Sequence, residues 1–448
     1  MTVVLGTLAL LCSGTSMAKA ANTPDLLTVY QLALEHAPEL QAARERLRAE
    51  RQVLARSRSR LLPSLTVSAE YARLEQRSEG VTGVVPASDE HFPREIYQAT
   101  LSQPLFNLES WYAYRAGKAE ARSAEARFRQ TLQRFRLRVV EAYFEALRAQ
   151  SQRLTREAEL KAARRQRERI ERELDAGTAS LLEVQEIKAE TKRVEVSLIR
   201  SEERVDQRLR KLESMAGKPL PRIQALLPSA LPSLDDSFPL SQWLNRAQAT
   251  NPRLRKVRRA RQAAREEASA AQSARYPRLS LDLSYQHDAA SAADAGIRGG
   301  DQLATNTATI GVQLEMPLYS GGRLVADRRE ASHRYGQAKG RHRQVRQDVF
   351  NGIKTQFHAV RIQQRAITAA EEAVSAQELA VTTAEKGYRA GVRDLVDVVR
   401  ARREHFAAIE TLNDARFDLI LALARLHRLG GSLDEDRMKA FNRWVGKR

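Results

Sequence analysis

Residues 277–286 read Pro277-Arg278-Leu279-Ser280-Leu281-Asp282-Leu283-Ser284-Tyr285-Gln286, and residues 63–72 read Pro63-Ser64-Leu65-Thr66-Val67-Ser68-Ala69-Glu70-Tyr71-Ala72. Both stretches leave a proline and then place apolar residues at odd positions and polar ones between them, the period of a strand with two unlike faces. The copies stand 214 residues apart, and Pro38 and Pro252, Tyr143 and Phe357, Gly177 and Gly391, and Gly217 and Gly431 keep that spacing. Pro104 and Pro317 differ by 213, because one intervening loop is a residue shorter. The chain is an internal duplication. Each copy is a supersecondary unit that needs its neighbour to bury its apolar face.

Strands are expected at about 64–74, 97–103, 279–286 and 310–316, with Pro104 and Pro317 ending the second of each pair because proline cannot donate to a ladder. Their length suits a transmembrane β-strand. Residues 77–94 and 288–306, with Gly80, Gly83, Pro86, Gly296, Gly299 and Gly300, read as surface loops. Four strands cannot close a barrel, since the smallest membrane barrels have about eight and an open edge in lipid leaves backbone groups unpaired. Several chains must therefore share one barrel.

Between the strand pairs the pattern is helical. Residues 108–175 contain no proline and a single glycine, Gly117, and residues such as Ala121, Ala124, Phe128, Leu132, Phe135, Val139, Ala142 and Ala146 recur at steps of three and four. One helix of that span is about 100 Å long. A second is expected from 324 to about 388, and shorter ones at 27–61, 181–215, 241–275 and 392–429. Their seams are rich in Ala and their other faces in Arg, Glu and Gln, so side-by-side packing is the outlet left. The fold class is mainly α with a small β part. Its units are a signal peptide at 1–20, a first repeat at 21–217, a proline-rich linker at 218–234, a second repeat at 235–431 and a tail at 432–448.

The signal peptide reading rests on an apolar run from Val3 to Cys12 and on Ala18-Lys19-Ala20 as a small-x-small cleavage site. Cys12 is the one cysteine and would leave with that segment, so the mature chain has no disulfide or thiol chemistry. No run of apolar residues is long enough for a membrane helix, so insertion must use strands. A net charge of +19 would first suggest nucleic acid. Export removes that reading, and the basic residues are interleaved with Glu as on solvated helix faces. No nucleic acid is expected. The eight histidines show no metal-ligand spacing and no serine sits in a nucleophile elbow, so no metal, no cofactor and no catalytic residue are expected; the chain reads as a non-enzyme.

Asn251-Pro252-x-Leu254, Pro277-x-Leu279, Met316-Pro317-Leu318-Tyr319-Ser320-Gly321-Gly322-Arg323 and 387–398, Gly-Tyr-Arg-Ala-Gly-Val-Arg-Asp-Leu-Val-Asp-Val, stand in the same order and spacing as in the TolC family of outer-membrane export channels. The chain resembles that family over its whole mature length. The resemblance implies a homotrimer in which each chain gives four strands to a twelve-stranded barrel and long helical hairpins to an α-barrel tunnel in the periplasm. It implies an exit duct for efflux or type I secretion, set in outer-membrane lipid and docked on a periplasmic adaptor and an inner-membrane ABC or proton-driven transporter. A periplasmic coiled-coil scaffold or adaptor without a pore is the competing reading, but it leaves the twice-repeated strand pair without a role.

Gly177 and Gly391 each interrupt a long helical pattern, and glycine permits the left-handed turn that reverses a helix. Two hairpins follow, with tips far from the strands; in the family such tips meet the adaptor and form the entrance. The resemblance makes Tyr388, Arg393 and Asp397 an entrance gate, with Glu183 and Glu385 as further matches. Here Arg400 replaces the second aspartate common in close relatives, and a cation three residues from Asp397 can neutralise it. Otherwise these are ordinary exposed ion pairs.

Overall fold

The computed structural model describes residues 23–78, 88–220, 223–227, 239–291 and 302–446. The expected signal peptide, the tips of both expected surface loops and Pro221, Pro228 and Pro232 of the linker lie outside the described residues.

The first repeat runs α1 (Leu26–His36), α2 (Pro38–Ser59), β1 (Ser64–Ser78), β2 (Ser88–Phe106), α3 (Leu108–Asp175) and α4 (Leu181–Ala216). A short β3 (Ala225–Leu226) follows, and then the same series returns as α5 (Leu240–Thr250), α6 (Pro252–Ser273), β4 (Arg278–Ser291), β5 (Gln302–Glu315), α7 (Arg323–Arg389) and α8 (Leu395–Gly430). The chain closes with α9 (Glu435–Asn442) and β6 (Val445–Gly446), which pairs with β3, so the tail and part of the linker form one small ribbon.

The helices expected at 27–61 and 241–275 are each two helices, a correction with a plain cause. Ala37 and Asn251 precede prolines and are extended, with ψ of 102° and 120°. Proline excludes the helical region for the residue before it but suits the first turn of a new helix. Asn251 also caps α6, accepting from the Leu254 amide at 3.1 Å.

The four long strands form one antiparallel sheet in the order β1-β2-β4-β5, so the two repeats join through β2 and β4. Leu65, Leu101, Leu283 and Ile310 lie abreast across the sheet, and Val67, Ala99, Tyr285 and Ala308 form the next such row. Abreast residues share a face. Thr66, Thr100, Ser284 and Thr309, then Ser68, Gln98, Gln286 and Thr307, line the other face. The alternation of single strands thus adds up to one apolar and one polar surface. Leu65, Val67, Ile310 and Val312 are exposed in the single chain, and β1 and β5 are open edges.

The strands are longer than expected. Pairing continues from Ser78 across to Ser88 and from Ser291 across to Gln302, so much of the expected loops is ladder. Backbone pairing needs no apolar face, so a ribbon can outlast the alternation that reveals it. Pro104 does not end β2: the strand reaches Phe106 through an irregularity between Pro104 and Phe106 against β4. An extra residue there absorbs the missing donor. Pro317, by contrast, lies beyond the end of β5.

Below the sheet, α2, α3, α6 and α7 pack side by side, and α3 and α7 each fold back along α4 and α8. At Gly117 α3 approaches α2 closely; a Cβ there would stand 2.3 Å from the Ser57 hydroxyl. The largest apolar cluster is not spread evenly along the helices. It is a girdle in which α1, α5 and α9 cover the middle of the long helices at Phe135, Val139, Tyr143, Ile353, Phe417 and Ile420. Trp111, by contrast, is exposed. No described helix is long and apolar enough to cross a membrane.

Candidate functional site

At the end opposite the sheet, both hairpins turn in the same way. Gly177 and Gly391 adopt φ of 73° and 70°, in the left-handed region. The Gly177 amide donates to Leu174 O at 2.9 Å and the Thr178 amide to Glu173 O at 2.8 Å; their counterparts run from Gly391 to Tyr388 O at 3.0 Å and from Val392 to Gly387 O at 3.0 Å. These satisfy carbonyls left over at a helix end. The returning helices are capped by Ser180 and Asp394, which stand 214 residues apart. Ser180 and Glu183 form a reciprocal capping box, with the Ser180 amide donating to Glu183 Oε2 at 2.7 Å and the Glu183 amide to Ser180 Oγ at 3.2 Å. The Asp397 amide donates to Asp394 Oδ1 at 2.9 Å.

A small apolar cluster joins the tips. Ile170 of α3, Val184 and Ile187 of α4 and Leu395 of α8 are fully packed, with Tyr388 of α7 against them. The Tyr388 hydroxyl donates to Glu183 Oε1 at 3.1 Å and lies 3.4 Å from Glu173 Oε2. Burial, and then Glu183, push the Tyr388 pKa up. The Ser180 amide, foremost, holds the Glu183 carboxyl below its usual range. Tyr388 and Glu183 are thus one unit.

The other expected gate residues do not join it within the chain. Glu385 pairs with Arg402 at 2.5 Å, and the same guanidinium donates to Ala162 O of α3 at 3.2 Å. Asp397 lies 3.8 Å from Arg400, the neutralising pair the sequence suggests. Arg393 lies over Gly387, and its side chain has no hydrogen-bond or ion-pair partner among the described residues. The motif reading missed Arg402, Glu173 and Glu190. Burial raises the Glu190 pKa, but Arg193 and Arg403 outweigh it and hold the carboxyl low. The capping box was readable as Ser180-x-x-Glu183; the cross-helix partners were not, because they depend on the packing register. Leu181, Leu182 and Val392 are exposed at the tips. The described residues hold no group of acids and histidines placed for a metal.

The profile of the family described as outer membrane efflux protein matches residues 29–218 and again 243–432, two segments with the 214-residue spacing of the duplication. The chain is 32% identical to alkaline protease secretion protein AprF of Pseudomonas aeruginosa, over 92% of this chain and 85% of that one. It is 28% identical to proteases secretion protein PrtF of Dickeya chrysanthemi, over 98% and 94%. Its fold is that of the outer membrane protein VceC of Vibrio cholerae, with a TM-score of 0.77 and 21% identity over 91% of this chain and 97% of that one. The chain belongs to the outer membrane efflux protein family. It is a channel protein of the outer membrane that extends into the periplasm and serves export, not an enzyme and not a scaffold without a pore.

Proposed function

We propose that this member of the outer membrane efflux protein family is the exit duct of a type I protein secretion system, a homotrimer docked on a periplasmic adaptor and an inner-membrane ABC transporter. The sheet carries the duct reading. It has four strands, one apolar and one polar face, and open edges at β1 and β5. Inside the chain, β2 meets β4 and α3 meets α6, joining one repeat to the next. The same contacts made by β5 and α7 would need β1 and α2 of another copy. Three copies close twelve strands with the apolar face on lipid and the polar face on a water-filled bore.

The hairpin tips form the entrance. Tyr388 and Glu183 latch the two hairpins of one chain, Arg393 reaches the neighbouring chain, and the Asp397 ring is shielded by Arg400. Exposed Leu181, Leu182 and Val392, beside the turns at Gly177 and Gly391, dock the adaptor. Polypeptide cargo is favoured because the relatives matched at 32% and 28% along nearly the whole chain are both named for protease secretion.

Deleting the gene and comparing the proteins of the culture medium tests this. At least one secreted polypeptide should disappear and return on complementation. An unchanged medium with increased sensitivity to small toxic compounds would assign the duct to efflux instead.

A further inference from the structure

The apolar face of the sheet is short. Its rows run from Leu279 and Leu314 to Tyr285 and Ala308, about 20 Å along the strands. The next row brings His287 and Asn306, hydrogen-bonded to each other at 2.7 Å. A membrane barrel presents an apolar band about 25 Å tall to lipid. The hydrocarbon therefore extends down to the junction of sheet and helices, where Leu62, Phe106, Trp111, Tyr276, Leu318 and Tyr319 are exposed. Aromatic residues gather at such a boundary. The first turns of α3 and α7 and the last turns of α6 then stand among the lipid headgroups.

A groove of about 640 Å³ opens there between α3, α6 and α7. Tyr112 and Ser269 line it about 6 Å from the helix ends, Arg115 and Arg265 stand about 10 and 12 Å from them, and Arg261 and Arg258 follow about one and two turns farther along α6. The Arg115 guanidinium lies 5.7 Å from the centre of the Tyr112 ring and holds the one carboxylate of the groove, Glu266, at 3.1 Å. Arg258, Arg261 and Arg265 have no carboxylate partner among the described residues. A row of unpaired cations on one helix repels itself, so the fold alone does not account for it. In the first repeat Leu47 and Arg51 occupy the positions of Arg261 and Arg265, and there Arg48 and Arg51 are paired with Glu45 and Glu125.

The groove lies on the outside of a duct. Leu254, Arg258, Arg261, Arg265 and Ser269 form one stripe of α6, and its Leu254 end meets Gln248 of α5. Three copies of α2, α3, α6 and α7 at about 9 Å spacing make a ring with roughly 20–25 Å free at its centre. Three copies of α1, α5 and α9, each helix about 10–12 Å thick, would fill that centre. The girdle must stand outside, and the stripe that meets it faces outward as well.

Guanidinium groups take phosphate oxygens by paired hydrogen bonds, and long basic side chains reach toward a headgroup layer. A headgroup of net negative charge, unlike a zwitterionic one, brings no cation of its own to the arginines. We propose that the groove between α3, α6 and α7 holds the phosphate headgroup of an anionic phospholipid of the periplasmic leaflet. Arg115 and Arg265 take the phosphate, and Arg261 and Arg258 raise the local potential. This rests on the reading of the chain as a membrane duct.

The test is native mass spectrometry of the full-length protein in detergent, titrated with dioleoyl phosphatidylglycerol and, separately, with dioleoyl phosphatidylcholine. Phosphatidylglycerol should bind at least tenfold more tightly. Arg261→Gln with Arg265→Gln should weaken its binding at least fivefold and leave that of phosphatidylcholine unchanged. Arg48→Gln with Arg51→Gln, at a matching height in the first repeat, should change either less than twofold. If the first double variant gives no folded oligomer, the exposed change Arg265→Gln alone takes its place, with at least a twofold loss expected. Equal binding of the two lipids, or equal loss in both double variants, would overturn the site. Soluble glycerol 3-phosphate binding as tightly as the lipid would overturn it too, and assign the groove to a free anion. The same spectra keep the two readings apart. A trimer without lipid preference removes the site alone, whereas a folded monomer removes the shared duct on which it rests.

Discussion

The Tyr388 hydroxyl donates to Glu183 Oε1 at 3.1 Å, while Glu183 Oε2 takes the Ser180 amide at 2.7 Å. One carboxylate therefore caps the returning helix of the first hairpin and holds the second hairpin against it. A hydrogen bond to a charged group is worth roughly 1.5–3 kcal/mol, and in a symmetric assembly the loss recurs in every chain. Tyr388→Phe removes the bond and keeps the ring against Leu395. Combined with Arg393→Ser, it should raise single-channel conductance in planar bilayers, and an unchanged conductance would mean that neither residue holds the entrance closed.

Arg400 lies 3.8 Å from Asp397 on the same face of α8. Removing the cation as Arg400→Ala exposes a ring of Asp397 carboxylates at the entrance, which should favour cations. Reversal potentials under a salt gradient should shift toward the cation equilibrium value. No shift would mean that Asp397 does not face the conducting path.

Leu283 and Ser284 are neighbours on opposite faces of β4. Arg at a lipid-facing midplane position costs roughly 2–4 kcal/mol, and at a bore-facing one little. Leu283→Arg should therefore lower the yield of folded, membrane-inserted protein well below that of Ser284→Arg. Equal yields would contradict the assignment of the apolar face to lipid.

Burial beside Trp243 and Phe441 pushes the His427 pKa down to about 3. The folded chain keeps the ring neutral, while the unfolded chain takes a proton below about pH 6.5. The associated stability is complete above pH 6.5 and is lost as pH falls toward the folded value, by about 2 kcal/mol at pH 5. The fall in Tm between pH 7.5 and pH 5 should be smaller in His427→Gln than in the wild type. Equal falls would show that other groups carry the acid sensitivity.

Much of this architecture is legible in the residues. The helix Leu108–Asp175 is bounded as the sequence indicates, because no proline interrupts it, Asn107 caps its start and Gly177 turns the chain beyond its end. The period-two stretches give the sheet its faces. The breaks before Pro38 and Pro252 are legible in the prolines, which disfavour helix at the residue before them, but the apolar seam runs on across them and masks the break. The girdle was hidden for another reason. α1, α5 and α9 are short, and only the folded chain brings Phe441 to the same core as Tyr143. At the tips, Arg402 could have met any of several acids, and the register of α8 against α3 and α7 decides for Glu385 and the Ala162 carbonyl.

If other copies of the chain close the open edges of β1 and β5, the assembly has a definite mass. Light scattering on the detergent-solubilised protein, corrected for the bound micelle, tests it most directly. A protein mass three times that of one chain is expected, with heat-resistant β structure. A folded, monodisperse monomer that keeps its strands in the micelle would contradict the shared barrel.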